Sequence, residues 1–301
     1  MTSDGNERLT SASATIGDRE STQWREIDAS PRARQYVEAV ADTAARLGCN
    51  LVSVVLFGST ATGGFSTIAS DLDLILVLRQ DVARDDRRRL CEEVERLEVL
   101  HGFRRQRVRA QSKLERLIDR LTGTVHSFFI CTRQDLLSGR VERILGIPPL
   151  QALFVDRVVI PSIVGSAVTV WGEDLLSHVP LLPIRRFDVL KSFHGLFCQV
   201  MLVLAVYPVL PDATKYAMAA LKRSVHNCFF CYHGHPAKLE EEIGFFQERI
   251  GPSRTLQQLL DLRREYAHSV SFVVRCAPTL IRLHWRTAWD NQFPREAFRH
   301  L

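Results

Sequence analysis

Residues 54–78 read VVLFGSTATGGFSTIASDLDLILVL. The stretch opens on the end of one β-branched run, 51–57 (LVSVVLF), and closes on a second, 72–78 (LDLILVL). Both are short and rich in Val, Ile and Leu, the composition of strands buried on at least one side. Between them Gly58-Ser59 starts a Gly/Ser/Thr loop, and eleven residues separate Ser59 from Asp71-Leu72-Asp73. Each part has a physical role. A glycine at 58 lets the backbone turn tightly and approach a phosphate without a Cβ in the way, while Ser59 offers a hydroxyl and can open a short helix whose N-terminal amides favour an anion. Side chains alternate along a strand, so Asp71 and Asp73 are expected on one face while Leu72 and Leu74 face the core. Two carboxylates so placed can share Mg²⁺ with the phosphates of a nucleotide.

The surrounding sequence supplies the rest of a sheet domain. Apolar positions at helical spacing (Val37, Val40, Ala44, Leu47) predict a first helix from Pro31, with Gly48 where a helix end favours a left-handed residue. Leu90, Val94, Leu97 and Leu100 predict a helix that stops at Gly102, and a very basic helix is expected over 104–121. Residues 125–131 (VHSFFIC) read as a third strand and 167–171 as a fourth, followed by Gly172-Glu173-Asp174-Leu175. From Arg185 the pattern is helical only: one amphipathic helix through Phe187, Phe197 and Leu204, a second capped by Asp212, a third from Pro236, a fourth capped by Ser253 and a last one ending near Trp289. The expected fold is therefore α+β: a polar disordered tail over 1–30, a small mixed-sheet domain over 31–178, a linker marked by Pro180 and Pro183, and an all-α bundle over 185–301.

The order Gly58-Ser59, eleven residues, Asp71-Leu72-Asp73 between two strands resembles the signature of the DNA polymerase beta-like nucleotidyltransferase superfamily, in its minimal and kanamycin-nucleotidyltransferase-like branch. The resemblance spans about residues 35–178 by motif and element order, and Trp171-Gly172-Glu173-Asp174-Leu175 is similar to the Tyr-Gly-x-Asp-Leu turn that follows the last strand in such proteins. The helical half resembles the accompanying bundle in architecture alone. The resemblance implies a Mg²⁺-dependent enzyme in which Gly58 and Ser59 hold a nucleoside triphosphate such as ATP and Asp71 and Asp73 bind the metal. The acceptor would be a hydroxyl on a small molecule or protein, or an RNA 3′ end. Family members with full two-metal chemistry add a third carboxylate from a later strand, which would fall near His126-Ser127, and no Asp or Glu stands there. His126 could act as the base, Glu98 could fold in, or two carboxylates could suffice. A fold that has lost catalysis and serves as a binding or regulatory module is the alternative function.

Other signals compete for attention. His226, Cys228, Cys231, His233 and His235 are zinc-ligand residue types, yet Ala217, Ala220, Leu221, Val225, Cys228 and Phe229 continue one apolar helical face, which makes the cysteines small core residues. Arg263-x4-His268, expected on the fourth bundle helix, resembles the Arg-x4-His motif of HEPN-domain RNases. Lys215 and Lys222 could reach a phosphate or simply face solvent.

Composition sets the outer limits. The 39 Lys+Arg against 34 Asp+Glu give a formal charge of +5, too small for a nucleic-acid-coating protein. That excess is local: residues 101–120 carry seven basic and two acidic side chains, and the rest of the chain balances. An RNA or acidic partner, if there is one, would bind there. Seven widely spread cysteines and no apolar leader fit free thiols in the cytoplasm. The longest apolar stretch, 196–210, contains Gln199 and Pro208, so no membrane span is expected.

Overall fold

The computed structural model describes residues 31–58, 61, 72–103, 127–147, 158–180, 184–210 and 212–290. It divides into two compact units: residues up to 106 with 128–137 and 167–179, and 107–127 with 138–166 and everything from 180. Residues 138–166, read from the sequence with the sheet domain, thus group with the helical unit. The expected tail 1–30 and the basic helix 104–121 lie outside the described residues.

In the first unit, α1 (Pro31–Arg46) leads through Gly48, at φ 68°, into β1 (Leu51–Phe57). After the loop come β2 (Asp73–Leu78) and α2 (Arg84–Leu100), then β3 (Phe128–Thr132), α3 (Arg133–Leu137) and β4 (Val168–Gly172). The strands form one sheet in the order β3-β2-β1-β4. β1 pairs antiparallel with β2 and β4, and β2 pairs parallel with β3, so the sheet is mixed. One face carries Val54, Leu56, Leu72, Leu74, Leu76, Leu78, Phe128 and Ile130, packed with Tyr36, Val37 and Val40 of α1 and Leu90 and Val94 of α2. Leu72 and Leu74 are fully buried, as the alternation requires. β2 is one of the two central strands, and its residues 74–78 are all buried, which accounts for its unbroken apolar run.

Side chains fix the corners of this unit. Arg87 of α2 donates to the Ile130 carbonyl of β3 at 2.5 Å. Thr132 and Asp135 cap the start of α3, with the Thr132 hydroxyl donating to the Asp135 carboxylate at 2.7 Å and the Asp135 amide donating back to that hydroxyl. Arg133 pairs with Glu173 at 2.7 Å. The Trp171–Leu175 turn is structural: Gly172 has φ 81°, a Cβ there would overlap the Val52 carbonyl, and the Asp174 carboxylate accepts from the Thr169 hydroxyl and the Leu176 amide at 3.0 and 3.2 Å.

The second unit contains α4 (Val141–Ile144), α5 (Val159–Ser166), α6 (Arg186–Ala205), α7 (Ala213–His233), α8 (Leu239–Ile250), α9 (Arg254–Arg264) and α10 (Val270–Trp289). Its main core joins Leu196, Val200 and Val203 of α6 to Ala217, Leu221 and Val225 of α7, Ile243 and Phe246 of α8, Leu256 and Leu259 of α9, and Phe272, Val273, Leu280 and Leu283 of α10. Helix ends follow the sequence with two exceptions. The Ser253 and Ser269 hydroxyls accept from the Leu256 and Phe272 amides as N-caps, and α7 ends at Gly234 with φ 70°. Asp212 occupies the N-cap position of α7 without a side-chain cap, and the third helix starts at Leu239 rather than Pro236, because Lys238 is its extended N-cap residue and the Ala237 amide is held by Glu242. Among the described helices α6 alone has the length and mean hydropathy, 1.4, of a membrane span, and it packs against α7 and α10.

Candidate functional site

The site begins where β1 and β2 separate. Their last paired residues are Phe57 and Asp73, and the chain leaves the sheet immediately at Gly58. Gly58 has φ 76°, the left-handed region that favours glycine. A Cβ built there would lie 2.5 Å from Asp73 Oδ2, so the glycine is required twice, for the turn and for the space the carboxylate fills. Asp73 is half-buried at the sheet's end, with Oδ2 beside the Gly58 Cα. A carboxylate next to a left-handed glycine is a residue combination that can take part in hard-cation and phosphate chemistry. Ser59, Asp71 and His126 lie outside the described residues.

Asp73 shares its face with residues the sequence reading had not singled out. Cross-strand pairs Phe57–Asp73, Val55–Ile75 and Ile75–Phe129 place all of these side chains on the face opposite the Leu72–Leu74 core. Val55 and Ile75 are buried, while Phe57 and Phe129 are half-buried and their rings stack across β2, centroids 6.1 Å apart at 27°. An apolar wall therefore stands beside the carboxylate. Strand alternation could have placed Phe57 there. The parallel register of β3 could not be read locally.

Several candidates lie elsewhere. Glu98, offered as a substitute third carboxylate, is buried on α2 with Leu90 and Val94, the helix face that packs on the Leu72–Leu74 side of the sheet. It is not on Asp73's face. Arg263 and His268 do not share a helix: α9 stops at Arg264, Glu265 is extended at φ −136°, and His268 is exposed in the following loop beside Tyr266. The expectation of an Arg-x4-His pair on one helix is thereby corrected.

The residues of zinc-ligand type are core residues or lie apart, as the apolar helical face implied for the cysteines. Cys228 belongs to the main core, whereas Cys231 packs with Val158, Val189, Phe230 and Ala288. His226 Nδ1 lies 2.5 Å from Glu242 Oε2, and the His233 ring stacks on Phe229 at 4.2 Å. Among the described residues no three His, Cys, Asp or Glu side chains converge on a point. All seven cysteines are thiols, and burial pushes Cys131 up to about 12. Lys215 is exposed on α7 and Lys222 half-buried.

Comparison with known proteins agrees with this geometry. Residues 37–120 match the nucleotidyltransferase domain family. No curated protein matches the sequence. Among solved structures the chain resembles the crystal structure of spectinomycin adenyltransferase AAD(9) from Enterococcus faecialis with ATP and spectinomycin, at 14% identity and a TM-score of 0.51. The match covers 84% of this chain and 98% of that one. The likeness shows a common fold. The domain match marks residues 37–120, which contain the Gly58 and Asp73 positions, as a nucleotidyltransferase domain.

Proposed function

We propose that this nucleotidyltransferase moves a nucleoside monophosphate from ATP to a hydroxyl of a small molecule. The observation that carries the reading is the fit between Gly58 and Asp73: a left-handed glycine at the end of β1 whose missing Cβ leaves room for one carboxylate. The adenyltransferase title naming ATP and spectinomycin supports the donor and the acceptor class. A protein hydroxyl fits the same chemistry less directly.

Mg²⁺ suits this donor set, since a carboxylate oxygen is a hard ligand, and Asp73 with Asp71 would hold it. When bound, the ion neutralises phosphate charge. Gly58 and Ser59 would seat the β- and γ-phosphates through backbone amides and a hydroxyl. The acceptor oxygen then bonds to the α-phosphorus as the bond to the β-phosphate oxygen breaks, pyrophosphate leaves, and the acceptor proton passes to a base, for which His126 is the candidate, or to solvent. Positioning would supply most of the acceleration.

The test measures pyrophosphate release with Mg²⁺ and each of ATP, GTP, CTP and UTP, offering spectinomycin first among hydroxyl acceptors and using Asp73→Asn as control. ATP-dependent turnover that is lost in Asp73→Asn supports the proposal. No turnover and no Mg²⁺-dependent nucleotide binding with any of the four would replace it with a catalytically lost binding module.

A further inference from the structure

The last helix of the helical unit carries an exposed apolar surface. α10 exposes Val270, Val274, Ile281, Trp285 and Trp289 at 53, 49, 44, 59 and 53%, five of the eleven large exposed hydrophobics among the described residues. At about 100° per residue they fall within an arc of about 100°. Trp285 and Trp289 stack on one another, centroids 4.2 Å apart at 10°, with more than half of each side chain in solvent. A concentration of this kind marks a contact surface, whereas scattered exposed apolar residues do not.

Charge selects the occupant. α10 has no Asp or Glu over its 20 residues. Arg275, Arg282 and Arg286 are exposed and fall together on one flank of the apolar stripe. Each is anchored by only part of its guanidinium: Arg275 donates to the Ser271 carbonyl at 3.1 Å, Arg282 to the Ile250 carbonyl at 2.6 Å, and Arg286 lies 3.7 Å from Asp290. Five N–H donors per guanidinium leave several for a ligand. Asp290 itself is only 16% exposed and already shared with Arg249. A second copy of the same face would set arginine against arginine, which disfavours self-association.

We propose that this face of α10 binds single-stranded nucleic acid. Such a strand has phosphates along one edge and flat bases along the other, the same two rows that the arginines and indoles present. The arginine row is about 16 Å long from Arg275 to Arg286, at about 1.5 Å per residue, which matches a contact of roughly four nucleotides. The stacked indoles leave an outer ring face on which a base can continue the stack.

The test uses the full chain and fluorescein-labelled single-stranded oligonucleotides, U12 and dT12, followed by anisotropy and by tryptophan quenching across a salt series. The expected result is binding that weakens with salt, falls at least about tenfold in Trp285→Ala/Trp289→Ala, and loses salt dependence by about 1.4 in log–log slope in Arg275→Ala/Arg282→Ala. All four side chains are exposed, so thermal melts of the variants should match the parent. Absence of binding at low salt, binding unchanged in the tryptophan variant, association only with vesicles containing anionic phospholipid, or a dimer that buries the tryptophans would each overturn the assignment.

Discussion

Two glycines in the same backbone state separate the chemistry of the site from its architecture. Gly48 and Gly58 have φ of 68° and 76°, but a Cβ at Gly48 meets nothing within 4 Å, whereas at Gly58 it lies 2.5 Å from Asp73 Oδ2. Alanine at either position carries the left-handed strain of about 1–2 kcal/mol. That corresponds to a drop of about 2–8 °C in melting temperature for a unit of this size. Only Gly58→Ala also moves the carboxylate. An ordinary contact needs at least 3.4 Å, so Asp73 must yield by about 0.9 Å. Misplacement of about 1 Å costs about a hundredfold in rate where positioning carries catalysis. Gly58→Ala should therefore lose about two orders of magnitude in kcat/KM while Gly48→Ala stays within about threefold of the parent, with similar melting temperatures. The assay is pyrophosphate release alongside differential scanning fluorimetry. Equal activity in the two variants, or equal loss, would refute the role given to the Gly58–Asp73 contact.

The same pairing of glycines applies at Gly172 and Gly251, both at φ 81°, of which only Gly172 faces a backbone carbonyl. Gly172→Ala should destabilise by at least about 2 kcal/mol more than Gly251→Ala in chemical denaturation, and equal effects would show that β4 can shift away from β1. Asp73→Asn keeps size and shape, so circular dichroism and melting should be preserved while turnover falls at least about a hundredfold; a variant with near-parental turnover would remove Asp73 from the site. His284, buried on α10, has its imidazole pushed down to about 4 by desolvation, opposed by its bond to the Leu280 carbonyl. An unfolded histidine takes a proton near pH 6.5 and the folded one does not until about pH 4, so stability is full above that window and is lost as pH falls through it. Urea unfolding should show about 2 kcal/mol less stability at pH 5 than at pH 7.5, a difference that shrinks in His284→Gln.

What the sequence made legible was set by how local the cause is. β1, β2 and the turn at Gly58 follow from alternation and from a glycine, both written within a few residues, and the register Phe57–Asp73 and the φ of 76° at Gly58 bear them out. The apolar run of β2 was read only as burial on at least one side, and in the sheet residues 74–78 are all buried. β3 was harder to read. Its described part is Phe128–Thr132, with 125 and 126 outside the described residues, and its register against β2 is set by a parallel crossover whose length no local pattern fixes. That register brings Phe129 onto the face that carries Asp73, stacked on Phe57, and the packing of α2 places Glu98 on the other side of the sheet. The end of α9 at Arg264 likewise separates His268 from the helix that carries Arg263. Spacing on a helix or strand therefore identifies groups that can meet only while the element continues. Where the partner comes from another segment, the surroundings of the site depend on register: Phe57 reaches Asp73 by a direct pair, whereas Phe129 reaches Phe57 only through the pairing of β3 with β2.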